Sequence, residues 1–144
     1  MPARNPLFYQ TRETLPTVER GEGVWLIDTE GRRFLDGCSG AVVSNVGHAH
    51  PHVLDAMRRQ AEKVAFAYRT QFENRPAIDL ARKLADHLSQ GLDRTFFVSG
   101  GSEAVETAIK LARSYHAARG DDRRYRIVSR FPSYHGSTLG ALAA

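Results

Sequence analysis

An apolar run, Phe96-Phe97-Val98, stops at Ser99-Gly100-Gly101-Ser102, and a helical pattern begins at once with Ala104 and Val105. A strand that turns straight into a helix aims the helix's first N–H groups at whatever lies above the strand end. Those N–H groups have no partner within the helix, and the helix dipole makes that end positive, so an anion such as phosphate fits there. Gly100 and Gly101 let the backbone come close to a ligand, and Ser102 adds a hydroxyl. Ordinary helix capping explains the run less well. A capping box needs Glu or Gln three positions after the cap, but Val105 follows Ser102 at that spacing and Ser102 follows Ser99. Glu103 weighs the other way, since a first-turn carboxylate can itself compensate the dipole. Neither the Gly-x-x-x-x-Gly-Lys phosphate loop nor the Gly-x-Gly-x-x-Gly dinucleotide fingerprint is present.

The flanking pattern gives the loop its setting. A strand over 95–99, a helix opening at Gly101 or Ser102 and closing at Gly120, and a strand over 125–130 predict a right-handed βαβ crossover with a parallel strand pair. Pro132-Ser133-Tyr134-His135-Gly136 then follows the second strand, so two loops are expected at one carboxyl edge of a sheet, where open α/β folds bind ligands. One loop offers a phosphate site and the other a flat ring, Tyr134, beside an imidazole, His135. A phosphorylated aromatic cofactor suits both.

Upstream, residues 1–22 read as an irregular arm. Val24 to Asp28 and Arg33 to Asp36 read as a β-hairpin around Thr29-Glu30-Gly31-Arg32. Residues 37–47 form a small, Gly-rich loop. A helix is predicted after Pro51, with Val53, Leu54, Met57, Ala61, Val64 and Ala65 at helical spacing. A second starts at the cap Asn74 with Pro76 in its first turn, buries Ile78, Leu80, Ala81, Leu84, Ala85 and Leu88, and ends at Gly91.

Other clusters yield to plainer readings. His48, His50 and His52 resemble a metal set, but no Cys accompanies them and Pro51 fits a helix entry better. Arg119, Arg123, Arg124, Arg126 and Arg130 suit a solvated loop better than a nucleic-acid surface, because Asp121 and Asp122 interrupt them and stacking aromatics are few. Trp25 is read as core or interface, and Cys38, the one cysteine of 144 residues, as a small buried side chain. The net charge of +4 keeps a basic nucleic-acid binder as a rival reading. No run approaches the roughly 20 apolar residues of a membrane span, and no signal-like stretch opens the chain, so a cytoplasmic protein is expected. The last residues, Ser137 to Ala144, lack a stop signal, and the chain reads as cut within a helix just beginning.

The segment Phe96 to Arg113 resembles the phosphate-loop helix of class III (omega-type) aminotransferases, pyridoxal-phosphate enzymes of fold type I. Ser133-Tyr134-His135-Gly136-Ser137-Thr138 resembles their ring-stacking segment. Leu26 to Asp36 and Asn45 to Pro51 match the same family, in order. The resemblance implies a mixed α/β fold: an N-terminal β-hairpin segment, then the start of a mostly parallel, three-layer large domain. It divides the chain at 50, with arm, hairpin and entrance loop over 1–50 and the beginning of the cofactor-binding domain over 51–144.

It further implies that Gly101 and Ser102 bind the phosphate of pyridoxal 5′-phosphate, that Tyr134 stacks on its ring, and that His135 and Gly136 shape that wall. The loop at Ala41, Val42 and Val43 would line the substrate entrance. The reaction implied moves an amino group between an amine or amino acid and a keto acid, in a homodimer without nucleic-acid or membrane partners. The family's Schiff-base lysine and the carboxylate facing the ring nitrogen would lie far downstream. The only lysines are Lys63, Lys83 and Lys110. A helix puts Lys110 roughly 12 Å along its axis from Ser102. No catalytic residue is therefore assigned in this chain, which alone is expected to be inactive. A non-catalytic phosphate- or pyridoxal-phosphate-binding module is the remaining alternative.

Overall fold

The computed structural model describes residues 6–8 and 13–144, and the rest of the expected N-terminal arm lies outside them. The chain divides into two compact units, residues 1–72 and 73–144.

The first unit is built on an antiparallel sheet of β1 (Val18–Glu22), β2 (Trp25–Asp28) and β3 (Arg33–Leu35), in that order. The hairpin expected from the sequence is β2–β3, with Leu26 opposite Phe34. Its turn is organised by Asp28. The Asp28 carboxylate accepts the N–H groups of Glu30 and Arg32 at 3.0 and 2.8 Å and the Arg32 Nε–H at 2.7 Å. Asx side chains favour turns because they bond nearby backbone in this way. Strand β1 corrects the reading of residues 18–22 as irregular. It pairs with β2 along its length, with a register irregularity between Val18 and Arg20. The sequence Val-Glu-Arg-Gly-Glu hides it, because a strand with one solvated face and a Gly has a weak apolar signal.

His48 ties the following loop back to this sheet. Gly23 and His48 exchange backbone hydrogen bonds at 3.1 and 2.7 Å, and His48 Nε2 lies 2.7 Å from Asp36 Oδ2. A Cβ on Gly21 would stand 2.5 Å from His48 Cβ, so only glycine allows this approach. The first of the three histidines thus braces the sheet. Pro51 occupies the first turn of α2 (Pro51–Lys63), as the helix-entry reading has it.

Between them, α1 (Ser39–Val42) is a single turn in which Ser39, Gly40, Ala41 and Val42 all have φ between 49° and 67°. Three non-glycine residues in the left-handed region make this a strained turn. Cys38, at its start, is exposed, which corrects the expectation of burial. A small side chain at the start of a single exposed turn stays open to solvent.

The second unit holds α3 (Arg75–His87), α4 (Gly101–Ala118) and α5 (Leu139–Leu142). The Asn74 side chain accepts the Ala77 N–H at 3.4 Å, and Pro76 stands in the first turn, as expected. The helix stops at His87, and Gly91 follows in the next turn at φ +90°. Leu80, Leu84 and Leu88 are exposed, against the expectation of a buried face. Periodicity marks a face suited to burial, and within its own unit α3 packs on no other helix or strand. Segments 95–99 and 125–130 are not strands of a sheet, which corrects the parallel pair. Apolar extended runs record a propensity, whereas a strand also needs a neighbour in register. The fold class stands as mixed α/β, with an antiparallel sheet leading into helices. Fully buried side chains among the described residues are few: Ile27 and Asp28 in the first unit, Ala141 in the second.

Candidate phosphate site

Helix α4 opens at Gly101 behind an N-cap, Gly100, that has no side chain to close it. The cap is fully extended, at φ −170° and ψ 177°, so the chain runs straight into the first turn. A Cβ built on Gly101 would meet nothing within 4 Å, so the space beside the helix start is open. The Glu103 carboxylate bends back toward this end, with Oε2 2.9 Å from where a Gly100 Cβ would be. It is the local negative charge that any anion arriving here must displace or share the dipole with.

Ser102 stands one residue further on and is half-buried. Its Oγ accepts the backbone N–H of Ser137 at 2.9 Å. The hydroxyl proton is left to donate to a ligand. This bond brings the two loops singled out from the sequence onto one place, even though no parallel ladder forms beneath them. Tyr134 is joined to it through Ser137, whose Oγ lies 3.1 Å from the Tyr134 OH. The ring itself is 80 % exposed and free to take a flat partner. His135 lies behind it, with Nε2–H donating to the Arg130 carbonyl at 3.3 Å.

Gly136 is where the two segments touch most closely. It is buried at φ +144°. A Cβ there would lie 2.7 Å from Ala141 Cβ and 2.8 Å from Ser102 Oγ. Only glycine combines that backbone with that contact.

Glu106 is a part of the arrangement that the motifs do not announce. It lies one turn after Ser102 on α4, and its Oε1 accepts the N–H groups of Gly140 and Ala141 at 2.7 and 3.2 Å. The carboxylate therefore caps α5, whose own N-cap residue Thr138 makes no side-chain cap. The carboxyl is held below its ordinary value, first by the Thr138 side chain and then by the Gly140 N–H, with burial opposing. Thr138 Oγ1 is buried outside hydrogen-bond geometry, so the backbone N–H pair is the better-defined contact. The signal for Glu106 was its i+4 spacing from Ser102, which puts both on one helix face.

Residues 8–144 match the family model described as Aminotransferase class-III. The chain belongs to the class III aminotransferase family. The acetylornithine aminotransferase of Agrobacterium fabrum is 40 % identical over 144 residues, covering 99 % of this chain and 35 % of that protein. Among solved structures, an (S)-enantioselective omega-transaminase from Thermomicrobium roseum matches with a TM-score of 0.90 at 41 % identity, over 96 % of this chain and 33 % of the other. An adenosylmethionine-8-amino-7-oxononanoate aminotransferase from Methanocaldococcus jannaschii gives 0.89 at 35 % identity, over 94 % and 32 %. This aminotransferase chain thus spans about a third of the length of such relatives, and corresponds to their amino-terminal portion.

Val42, expected at a substrate entrance, is 75 % exposed at φ +67° on the strained turn of the first unit. Lys110 is on α4 itself, Lys83 on α3 and Lys63 at the end of α2. In the arginine-rich stretch, Arg124 pairs with Asp121 at 2.8 Å, and Arg119 and Arg126 lie against the rings of Tyr115 and Tyr125. Among the described residues, no helix is long and apolar enough to cross a membrane.

Proposed function

We propose that this chain supplies the phosphate cradle and one ring wall of a pyridoxal-phosphate aminotransferase, which moves an amino group between an amine or amino acid and a keto acid. The observation that carries this reading is the Ser137 N–H bond to Ser102 Oγ, which sets a flat exposed ring beside an uncapped helix start.

The donor set suits the cofactor's phosphate. Gly101 leaves room for an oxyanion beside the first N–H groups of α4, and the Ser102 hydroxyl has a proton to give. Tyr134 would cover one face of the pyridine ring, with its OH steadied by Ser137. His135, fixed to the Arg130 carbonyl, would support that wall. Bound pyridoxal phosphate acts as an electron sink for charge at the carbon that carries the amino group. The chain's own residues contribute binding and orientation. Lys110 lies about 12 Å along the helix from Ser102, too far to reach a ring held at the helix start. Lys63 and Lys83 lie on other helices. Because the resemblance puts the family's Schiff-base lysine downstream of this portion, the 144 residues alone are read as inactive in amino transfer. Its family resemblance supports a cytoplasmic homodimer, a domain division near residue 50 and an entrance loop at Val42.

The test is transfer of labelled nitrogen. The native-length protein, meaning these residues within the full polypeptide that carries them, should label the acceptor in a cofactor-dependent way when given pyridoxal phosphate, an amino donor labelled with heavy nitrogen and a keto acid, and the 144 residues alone should not. Saturable cofactor binding without transfer across a panel of amines and amino acids would overturn the enzymatic reading and leave a binding module.

A further inference from the structure

Glu106 contacts the segment that follows Tyr134, although the sequence assigns it no role. Its carboxylate takes the Gly140 and Ala141 N–H groups, while Ser102, one turn earlier on the same face of α4, takes the Ser137 N–H. Two acceptors on one helix thus grip a five-residue stretch at both ends. Gly136, just before that stretch, and Gly140 within it give the close approach. A Cβ on Gly140 would stand 2.5 Å from Glu106 Oε2, and one on Gly136 would stand 3.0 Å from Ser102 Cα. Ala141, at the centre of the contact, is 1 % exposed.

We propose that Glu106 is a positioning residue for the cofactor wall: by capping α5 it fixes the 136–141 segment against α4, and so sets the Tyr134 ring over a cofactor whose phosphate Ser102 holds. The inference rests on the pyridoxal-phosphate reading above. Charge matters here as well as shape. A carboxylate accepts two N–H groups at a helix start more strongly than a neutral group does. While the segment stays in register, the Ser137 N–H occupies a lone pair of Ser102 Oγ, and the serine proton is directed elsewhere, toward the ligand. Glu106 keeps that register without touching the ligand.

The experiment uses the native-length protein stripped of cofactor, with three variants. Glu106→Ala removes the acceptor. Gly140→Ala keeps Glu106 but drives its carboxylate off the Gly140 N–H. Glu106→Gln retains an oxygen that can accept. The readouts are the pyridoxal-phosphate dissociation constant, the circular dichroism of the bound cofactor and the exchange rates of the Gly140 and Ala141 amides. Both alanine variants should weaken binding at least about tenfold, change the dichroism and speed those amides, and glutamine, which keeps an acceptor but not the charge, should recover part of the affinity. Should Glu106→Ala fail to fold, Gly140→Ala carries the same test with the carboxylate in place. Wild-type affinity and dichroism in folded Glu106→Ala and Gly140→Ala would overturn the positioning role while leaving the cofactor reading intact. Failure of the wild-type protein to bind pyridoxal phosphate would overturn both, and is told apart by that result alone.

Discussion

Ser102 and Ser137, 35 positions apart, meet through a 2.9 Å hydrogen bond in which the Ser137 N–H donates to Ser102 Oγ. The bond joins the start of the long helix α4 to the segment that carries the exposed Tyr134 ring. It brings two separate sequence motifs together. The same hydroxyl would then donate its proton to a phosphate, which makes Ser102 both a structural acceptor and a ligand donor.

Gly136→Ala is expected to damage both the packing and the site. The added methyl would lie 2.7 Å from Ala141 Cβ and 3.0 Å from Ser102 Cα, on a backbone at φ +144°. Overpacking of this kind costs about 1–3 kcal/mol, and the unfavourable φ adds to it. Thermal unfolding of the native-length protein should show a clear fall in Tm, with cofactor affinity falling in parallel. An unchanged Tm would mean that the two segments are not in contact.

Gly101→Ala should behave in the opposite way. Nothing within 4 Å would meet the new methyl, and alanine is the better helix former. Stability should hold within about 0.5 kcal/mol or rise slightly. Affinity for pyridoxal phosphate should fall about tenfold, because the methyl occupies the space reserved for the phosphate. Equal affinity in the two proteins would remove Gly101 from the cradle.

Asp28 gives the first unit a definite pH dependence. Burial pushes its carboxyl up, but the Arg32 side chain and the N–H groups of Arg32 and Glu30 outweigh burial and hold it below the ordinary carboxylate range. A carboxyl depressed on folding binds fewer protons in the native state than in the unfolded chain, so stability rises with pH across that range. Its contribution is complete above about pH 4 and is lost as pH falls through the lower native value. Asp28→Asn should be less stable at neutral pH and should lose less on acidification. Urea midpoints measured from neutral to acid pH test this, and parallel curves for the two proteins would refute it.

The two candidate loops are more legible in the sequence than the contacts that join them. Ser99 to Ser102 and Tyr134 to Gly136 announce themselves because glycines and short polar residues interrupt apolar runs, and such interruptions are local. Asn74 and Pro76 mark a helix start for the same reason. What binds the loops together is not local. Glu106 reads as one more polar helix residue until Gly140 and Ala141 fold against it, and Asp36 gives no hint of His48 twelve positions later. The runs over 95–99 and 125–130 look like paired strands because β-propensity is visible in a single segment and pairing is not. That Leu80, Leu84 and Leu88 are exposed is hidden from the sequence for a related reason: spacing identifies an apolar stripe but not what covers it.

Equilibrium binding of pyridoxal phosphate to the native-length protein, wild type against Ser102→Ala, tests the central claim most directly. The substitution removes the hydroxyl donor and the acceptor for the Ser137 N–H together. The account predicts one saturable site per chain, competed by inorganic phosphate and weakened at least about tenfold in the variant. Binding of equal strength in both proteins, or binding that phosphate does not compete, would contradict it.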